Sequence, residues 1–382
     1  MAPYLITNER KEEMRLKKST GSKAVSCIIM SLIIGSCMST STLADTNLTL
    51  KRPEKTESTS KGSGSKESVP KDAEAEEPGK VLYEGHSYAV FDEAMSWDDA
   101  KAACEKKGGH LVCINDEKEQ QFLQTIVING KKSYYWIGLS DTKTEGVFEW
   151  VNGDPLTYKN WSEDQPDNWN NSEDSVMLPN RDMQYSDWEN AFGTWNDMNS
   201  KGDKDHSLEQ MGFLCEWDSV DEDLARTMDI TLEKLEVEFR DQGVKVSIDR
   251  KNGTIKIDAS VLFDVNSYTV KKDGQDVIEK MVSALENVLK VKAIKDCIGS
   301  INIQGHTDSD GPYEHNVKLS EKRAKSVRTA CLDSASDDAS SKKMLEELFT
   351  VSGCACDQPV LDANGKEDKT ASRRVMFVFY LK

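Results

Sequence analysis

The chain has 382 residues, enough for two ordinary domains and their tails, and carries 67 acidic against 49 basic side chains for a net charge of −18. That balance excludes a nucleic-acid partner, because a phosphate backbone requires a basic face. The acidity is uneven: residues 81–217 hold 26 acidic and 11 basic residues and all eight tryptophans, whereas 218–382 hold 30 and 25. Carboxylate concentrated in one domain suits a hard divalent cation as readily as a solvated surface.

At the N-terminus Arg10, Lys11, Arg15, Lys17, Lys18 and Lys23 precede the apolar run AVSCIIMSLIIGSC, residues 24–37. The run is too short to span a bilayer and has the pattern of a signal-peptide core, with Met14 as an alternative start. It ends Ile34-Gly35-Ser36-Cys37, which resembles a bacterial lipobox. The resemblance implies that residues 1–37 are a signal peptide and that Cys37 receives lipid. Ile34 stands where the lipobox prefers leucine, so cleavage after Ala44 is the alternative. Export implies an oxidising compartment in which cysteines pair. Apart from Cys27 and Cys37, seven of the nine cysteines remain, an odd number that leaves at least one thiol free.

Residues 38–80 are Ser, Thr, Lys, Glu, Gly and Pro without apolar periodicity, the composition of a disordered linker. In the Trp-rich unit 81–217, Ser96-Trp97-Asp98-Asp99 has capping-box character and predicts a helix with Ala100, Ala103 and Cys104 on one face. A second helix is expected from Asn115, carrying Phe122, Leu123 and Ile126, followed by strands at 134–139 and 148–151 and a polar stretch to Met211. Residues 218–243 read as a charged connector helix with Leu232, Leu235 and Phe239 on one side. In the unit 244–382, two strands flank Lys251-Asn252-Gly253, a hairpin signal. Val277, Met281, Leu285 and Val288 mark a helix, 301–304 a strand, 317–331 a helix and 375–381 a closing strand. The expected fold class is α+β, the second unit being an α/β sandwich.

Cys104, Trp136-Ile137-Gly138-Leu139, Gln165-Pro166-Asp167, Glu173-Asp174, Trp195-Asn196-Asp197 and Phe213-Leu214-Cys215-Glu216 follow one another in a recognisable order. Over essentially all of 81–217 the unit resembles a C-type lectin-like domain. The resemblance implies Ca2+ as cofactor, held by Gln165, Asp167, Glu173, Asn196 and Asp197, which bind ion and sugar together. Calcium takes 6–8 oxygens and accepts two vicinal hydroxyls among them. Gln-Pro-Asp, rather than Glu-Pro-Asn, is similar to the galactose-type members, in which an indole at the position of Trp169 stacks on the sugar. Pro166 is expected to be cis. Asp141, Glu145, Asn168, Glu173 and Asp174 align with the family's auxiliary calcium site, with Asn168 replacing a carboxylate. The family's outer disulfide would join Cys104 and Cys215, whereas its inner one falls on Ser175 and Ser200. Cys113 has no family partner and is expected to be a buried free thiol. Trp97, Trp136, Trp150, Trp161 and Trp217 read as core.

Gln304-Gly305-His306-Thr307-Asp308, Gly311, Asn316, Leu319-Ser320, Arg323-Ala324, Val327 and Arg373-Arg374-Val375 resemble an OmpA-like peptidoglycan-binding domain over 244–382. The resemblance implies that Asp308 and Arg323 clamp diaminopimelate, offering a carboxylate and a guanidinium to a zwitterion. Asn316 would shape the loop and Arg374 would add a contact. Two bridges are expected among Cys297, Cys331, Cys354 and Cys356, in any of three connectivities.

These readings converge on a non-enzymatic envelope protein that binds galactose-type glycans through calcium and anchors to peptidoglycan. It would be tethered by lipid to the outer membrane, on the periplasmic side. The rival readings are a structural tether whose first domain binds protein, an adhesin for host glycans, and a glycan-cleaving enzyme. The sequence has no Gly-rich phosphate loop, His-Glu-x-x-His motif or nucleophile elbow, and its first-domain acids are taken up as calcium ligands.

Overall fold

The computed structural model describes residues 77–181, 192–202 and 207–382. The signal segment, the lipid site expected at Cys37 and nearly all of the 38–80 linker lie outside the described residues.

The first unit is a mostly antiparallel sheet, parallel only between β4 and β8, with two helices. Its strands are β1 (Lys80–Tyr83), β2 (His86–Phe91), β3 (His110–Leu111), β4 (Tyr134–Ser140), β5 (Glu149–Trp150), β6 (Ser175–Pro179), β7 (Asn196–Met198) and β8 (Met211–Trp217). They run in the order β1-β2-β8-β4-β6-β7, with β3 beside β8 and β5 beside β4. The helix Trp97–Lys106 begins where Ser96 Oγ accepts the Asp99 N–H, and Asp98 and Asp99 favour its positive end. Asp116 caps the second helix, Glu117–Val127, in the same way. The first helix closes one core around Trp97, Trp136 and Phe213, and the second closes another around Phe122, Trp150 and Trp195. Three of the five indoles read as core are satisfied through their N–H groups: Trp97 donates to Ile137 O, Trp136 to Met95 O and Trp217 to Lys107 O.

The second unit contains β9 (Ser247–Asp249), β10 (Thr254–Asp258), β11 (Ile298–Gly305), β12 (Phe349–Gly353) and β13 (Arg374–Leu381). β11 and β12 are parallel, and the helix Tyr313–Asp333 makes the crossover that parallel pairing requires. That helix lies very close to the strands it joins. A Cβ on Gly305 would stand 2.2 Å from Ser320 O, and one on Gly353 2.5 Å from Glu321 N.

The segment read as a connector is part of this core. The helix Glu222–Asp241 buries Met228, Leu232, Leu235 and Phe239 in the cluster formed by Ile255, Met281, Leu285 and Phe377. Its apolar stripe needed a partner, and the helix Lys272–Leu289 supplies one.

The two units share one sheet. β1 pairs with β2 on one edge and with the far end of β13 on the other, Lys80 opposite Leu381 and Val81 opposite Tyr380. Alternation along β13 sends Val375, Phe377, Phe379 and Leu381 toward the helices of the second unit, and Met376, Val378 and Tyr380 toward Phe122 and Ile126 of the first. Polar groups reinforce the contact: Asn302 Nδ2 donates to Asn129 Oδ1, and Ser352 Oγ donates to the same oxygen. The Arg181 guanidinium donates to Gly353 O and pairs with Asp357.

All seven described cysteines are thiols. Cys104 and Cys215 are buried against one another, and their contact raises the Cys104 thiol. The two bridges expected in the second unit are not formed. Cys331 is enclosed near the end of its helix, where burial alone raises its thiol. Cys354 follows β12 and lies close enough to feel the charges of Arg181, Asp357 and Arg374.

Among the described residues no helix is long and apolar enough to cross a membrane.

Candidate functional site

The loop from Trp161 to β6 is built from residues that tolerate a tight path. Asp164, Asn168, Asn170 and Asn171 all have positive φ, which Asn and Asp accept more readily than most residues. The Gln165–Pro166 peptide is cis. Glu173 and Asp174 directly precede β6, and Asn196 and Asp197 lie on β7, with Val176 opposite Asp197 and Met177 opposite Asn196. Strand pairing therefore carries the second half of the set to the first.

Asp167, Glu173 and Asp197 converge, with ligand oxygens within 4.8 Å of one another. The Asp197 carboxylate accepts the backbone N–H groups of Asp167 (3.2 Å) and Asn168 (2.9 Å), while Glu173 accepts that of Trp169 (2.8 Å). Burial, with Asp197 and Asp167 beside it, pushes the Glu173 carboxyl up to about 8, and burial also raises Asp197. Two further oxygens, Gln165 Oε1 and Asn196 Oδ1, are buried without a hydrogen-bond partner. Trp169 is 62% exposed at the tip of the loop.

The auxiliary set is gathered less tightly. Asp141 is buried, with Oδ2 accepting the Gly146 N–H and Oδ1 unpartnered. Asn168 spends its amide inside the protein, donating to Glu145 (2.6 Å) and accepting from Glu173 N (3.2 Å). Only the backbone carbonyl of Asp174 is seen to meet this group, accepting the Asp141 N–H at 3.2 Å.

In the second unit the loop after β11 carries Asp308, which pairs with Arg373. Asn316 Nδ2 donates to the carbonyls of Asp308 and Asp310, both at 3.1 Å, and so holds the loop in shape. Arg323 is 5% exposed, donates Nε–H to Ser267 O at 2.9 Å and lies over the Phe263 ring. Burial and the nearby Arg373 lower its guanidinium, which Asp308 counters. No ion pair joins Asp308 to Arg323 among the described residues, although each lies within electrostatic reach of the other. Arg374 points elsewhere. It is buried on the opposite side of β13 from the helices and donates to Ser372 O, Gln358 O and Gln358 Oε1. Arg373, the C-cap of the helix Lys369–Ser372 just before β13, and not Arg374, stands beside Asp308. His306 is buried, and burial holds its imidazole well below the ordinary range.

The family model described as the lectin C-type domain matches residues 93–216, and that of the OmpA family matches 262–373. Each model matches a minority of the chain, which is similar to a lectin C-type domain in the first segment and to the OmpA family in the second. Over 120 residues it is 32% identical to the human protein C-type lectin domain family 17, member A, a match covering 31% of this chain and only 28% of that protein. The carbohydrate-recognition domain of the mouse scavenger receptor C-type lectin is 32% identical, covering 38% of this chain and 97% of that one at a TM-score of 0.31. A calcium-independent type II antifreeze protein is 25% identical, covering 37% and 93% at a TM-score of 0.30. Both families are families of non-catalytic domains.

C-type lectin domains typically bind calcium, and the fit here rests on the side chains present. Three crowded carboxylates, with unpartnered amide oxygens on Gln165 and Asn196 two and one residues from Asp167 and Asp197, form an all-oxygen donor set, the kind that a hard cation of high coordination number takes. Two functional positions escaped sequence reasoning. Arg373 lay inside a quoted motif, at the end of a short helix immediately before β13. Arg181 lies in the lectin domain and reaches the turn after β12, a contact over 172 residues of sequence for which no local pattern exists.

Proposed function

We propose that the chain is a lipid-anchored protein of the bacterial outer membrane that binds galactose-type glycans through calcium and grips peptidoglycan through Asp308 and Arg323. The observation that carries the lectin half is the pair of unpartnered oxygens, Gln165 Oε1 and Asn196 Oδ1, beside the carboxylates of Asp167, Glu173 and Asp197. Unsatisfied buried oxygens are costly unless something outside the chain uses them. Bound calcium supplies a Lewis-acidic centre that takes two vicinal sugar hydroxyls as ligands. The chain's part is to orient Gln165 and Asp167 toward the same hydroxyls and to present the Trp169 face to the apolar side of the sugar.

The peptidoglycan half is supported by the spacing of Asp308 and Arg323, which have no ion pair with each other and can each take one charge of a zwitterionic ligand. Arg373 shares Asp308 in the free state and is the third charge of that clamp. The protein acts by binding and performs no catalysis. Cys104 and Cys215, thiols here, would give up two electrons and two protons to an oxidant of the export compartment to form the disulfide. The shared sheet, which holds both domains on one side, together with peptidoglycan binding supports the periplasmic side for the pair.

A glycan array, probed with calcium and with chelator, tests the lectin reading. Galactose-terminated glycans should bind only with calcium, and calcium-independent or absent binding overturns it. Protease added to intact cells tests sidedness, and ready cleavage of the 38–80 linker rejects a periplasmic location.

A further inference from the structure

Away from the calcium cage, β2, β3 and β8 lie side by side, and their register gathers five chemically distinctive side chains on one face. Glu216 on β8 stands opposite His110 on β3 and Tyr88 on β2. Side chains two apart share a face, which adds His86 and Asp218. Cys113, two residues past β3, donates its backbone N–H to Glu216 Oε2 at 3.0 Å, and its sulfur lies 3.7 Å from His110 Nδ1. His110 Nδ1 is 3.9 Å from Glu216 Oε2, and the donor atoms of His110, Cys113 and Glu216 all lie within 4.8 Å of one another. Glu216 is 1% exposed and Cys113 0%.

The bland alternative is a satisfied polar cluster, since Glu216 also meets His86 and Tyr88. In that reading the Cys113 thiol and His110 Nδ1 both turn to Leu111 O, at 3.4 and 2.8 Å, which leaves unexplained that sulfur, ring nitrogen and Glu216 carboxylate oxygen converge within 4.8 Å. We infer that His110 Nδ1, Cys113 Sγ and Glu216 form a binding site for a divalent transition ion of the zinc type. Nitrogen, sulfur and one carboxylate are donors for such an ion and poor ones for calcium. Metal–ligand distances of about 2.0–2.3 Å imply tetrahedral edges of roughly 3.3–3.8 Å. The Cys113–His110 and His110–Glu216 separations, 3.7 and 3.9 Å, are close to that.

The surroundings have the form of an outer shell. His110 Nε2 lies 3.1 Å from Asp218 Oδ1, and His86 Nδ1 lies 2.8 Å from Glu216 Oε1, so ring and carboxylate are each held from behind. In the free protein His110 Nδ1–H donates to Leu111 O at 2.8 Å. Each ring nitrogen of the free His110 meets an acceptor, Leu111 O or Asp218 Oδ1. Binding at Nδ1 displaces that nitrogen's proton to solvent, leaves Nε2–H donating to Asp218, and releases the thiol proton of Cys113 as well. The ion then bridges β8 to β3 and the turn that follows it.

The test uses the full-length chain in detergent, with excess calcium occupying the sugar cage and thiols kept reduced. Cobalt(II) is titrated as the probe, and zinc is then added in competition. A single equivalent should bind with a thiolate-to-cobalt charge-transfer band that zinc abolishes. Cys113→Ser should remove the band while leaving galactose binding unchanged. Because Cys113 is fully buried, partly exposed His110→Gln provides a second route and should weaken cobalt by at least about tenfold, as should Asp218→Asn. No charge-transfer band, a band that survives Cys113→Ser, or unchanged affinity in a folded His110→Gln protein overturns the assignment.

Discussion

Asp197→Asn separates the two jobs of one carboxylate. In the calcium-free protein both of its oxygens accept backbone N–H groups, from Asp167 and Asn168. Replacing one oxygen by an amide NH2 leaves a buried donor facing a donor, which costs about 1–3 kcal/mol. The same change removes a charge from a cluster whose oxygens lie within 4.8 Å. At that separation and an effective dielectric of 20, each relieved repulsion contributes about 3–4 kcal/mol, less where a neighbour holds a proton, as the raised Glu173 does. The two effects oppose each other at similar size, so stability in chelator changes little. The calcium increment decides the matter. A hundredfold excess over Kd stabilises the parent by about 2.7 kcal/mol, a Tm rise on the order of 10 °C, and Asp197→Asn should lose most of it. Thermal unfolding followed by tryptophan fluorescence, with and without chelator, measures both. An equal calcium increment in the two proteins refutes the assignment of Asp197 as a ligand, and no increment in the parent refutes the calcium site.

Trp169→Ala should weaken galactose by about 1–3 kcal/mol in a column or calorimetric assay with no change in Tm, because the side chain is already 62% exposed. Exchanging Gln165→Glu and Asp167→Asn together should turn preference from galactose toward mannose, and an unchanged ranking of sugars would place specificity elsewhere in the loop. Asp308→Ala and Arg323→Ala should each abolish pull-down on diaminopimelate-type peptidoglycan with sugar binding intact. Arg374→Ala should instead lower Tm, because it removes a buried guanidinium that holds Gln358 and Ser372.

The parts legible in the sequence are those in which chemistry is local. Gln165, Asp167 and Glu173 lie within nine positions, and their oxygen-rich spacing already describes a cation loop. The caps at Ser96 and Asp116 and the stripe of Met281, Leu285 and Val288 are likewise short-range patterns. What the sequence hid depends on pairing across long separations. The stripe Leu232, Leu235 and Phe239 marks a helix but not its partner, so a core helix reads as a connector. β1 has no feature announcing that its second edge belongs to β13, and Arg181 gives no sign of Asp357. Arg373 caps the short helix Lys369–Ser372 and Arg374 opens β13, so the two neighbours point to different places, which the motif spelling does not encode.

The pairing of β1 with β13 also bears on avidity. Two binding domains on a loose tether meet their second ligand at an effective concentration set by the tether's length. Here no tether intervenes, since strand pairing, the packing of Met376 and Val378 against Phe122, and the Arg181–Asp357 pair hold the domains together. The second engagement is then governed by angle and spacing: strong when the two polymers present themselves at the separation the sheet dictates, and negligible otherwise. Such a molecule measures the arrangement of its ligands as well as their identity. Loosening the joint would change that discrimination while leaving each separate affinity as it was.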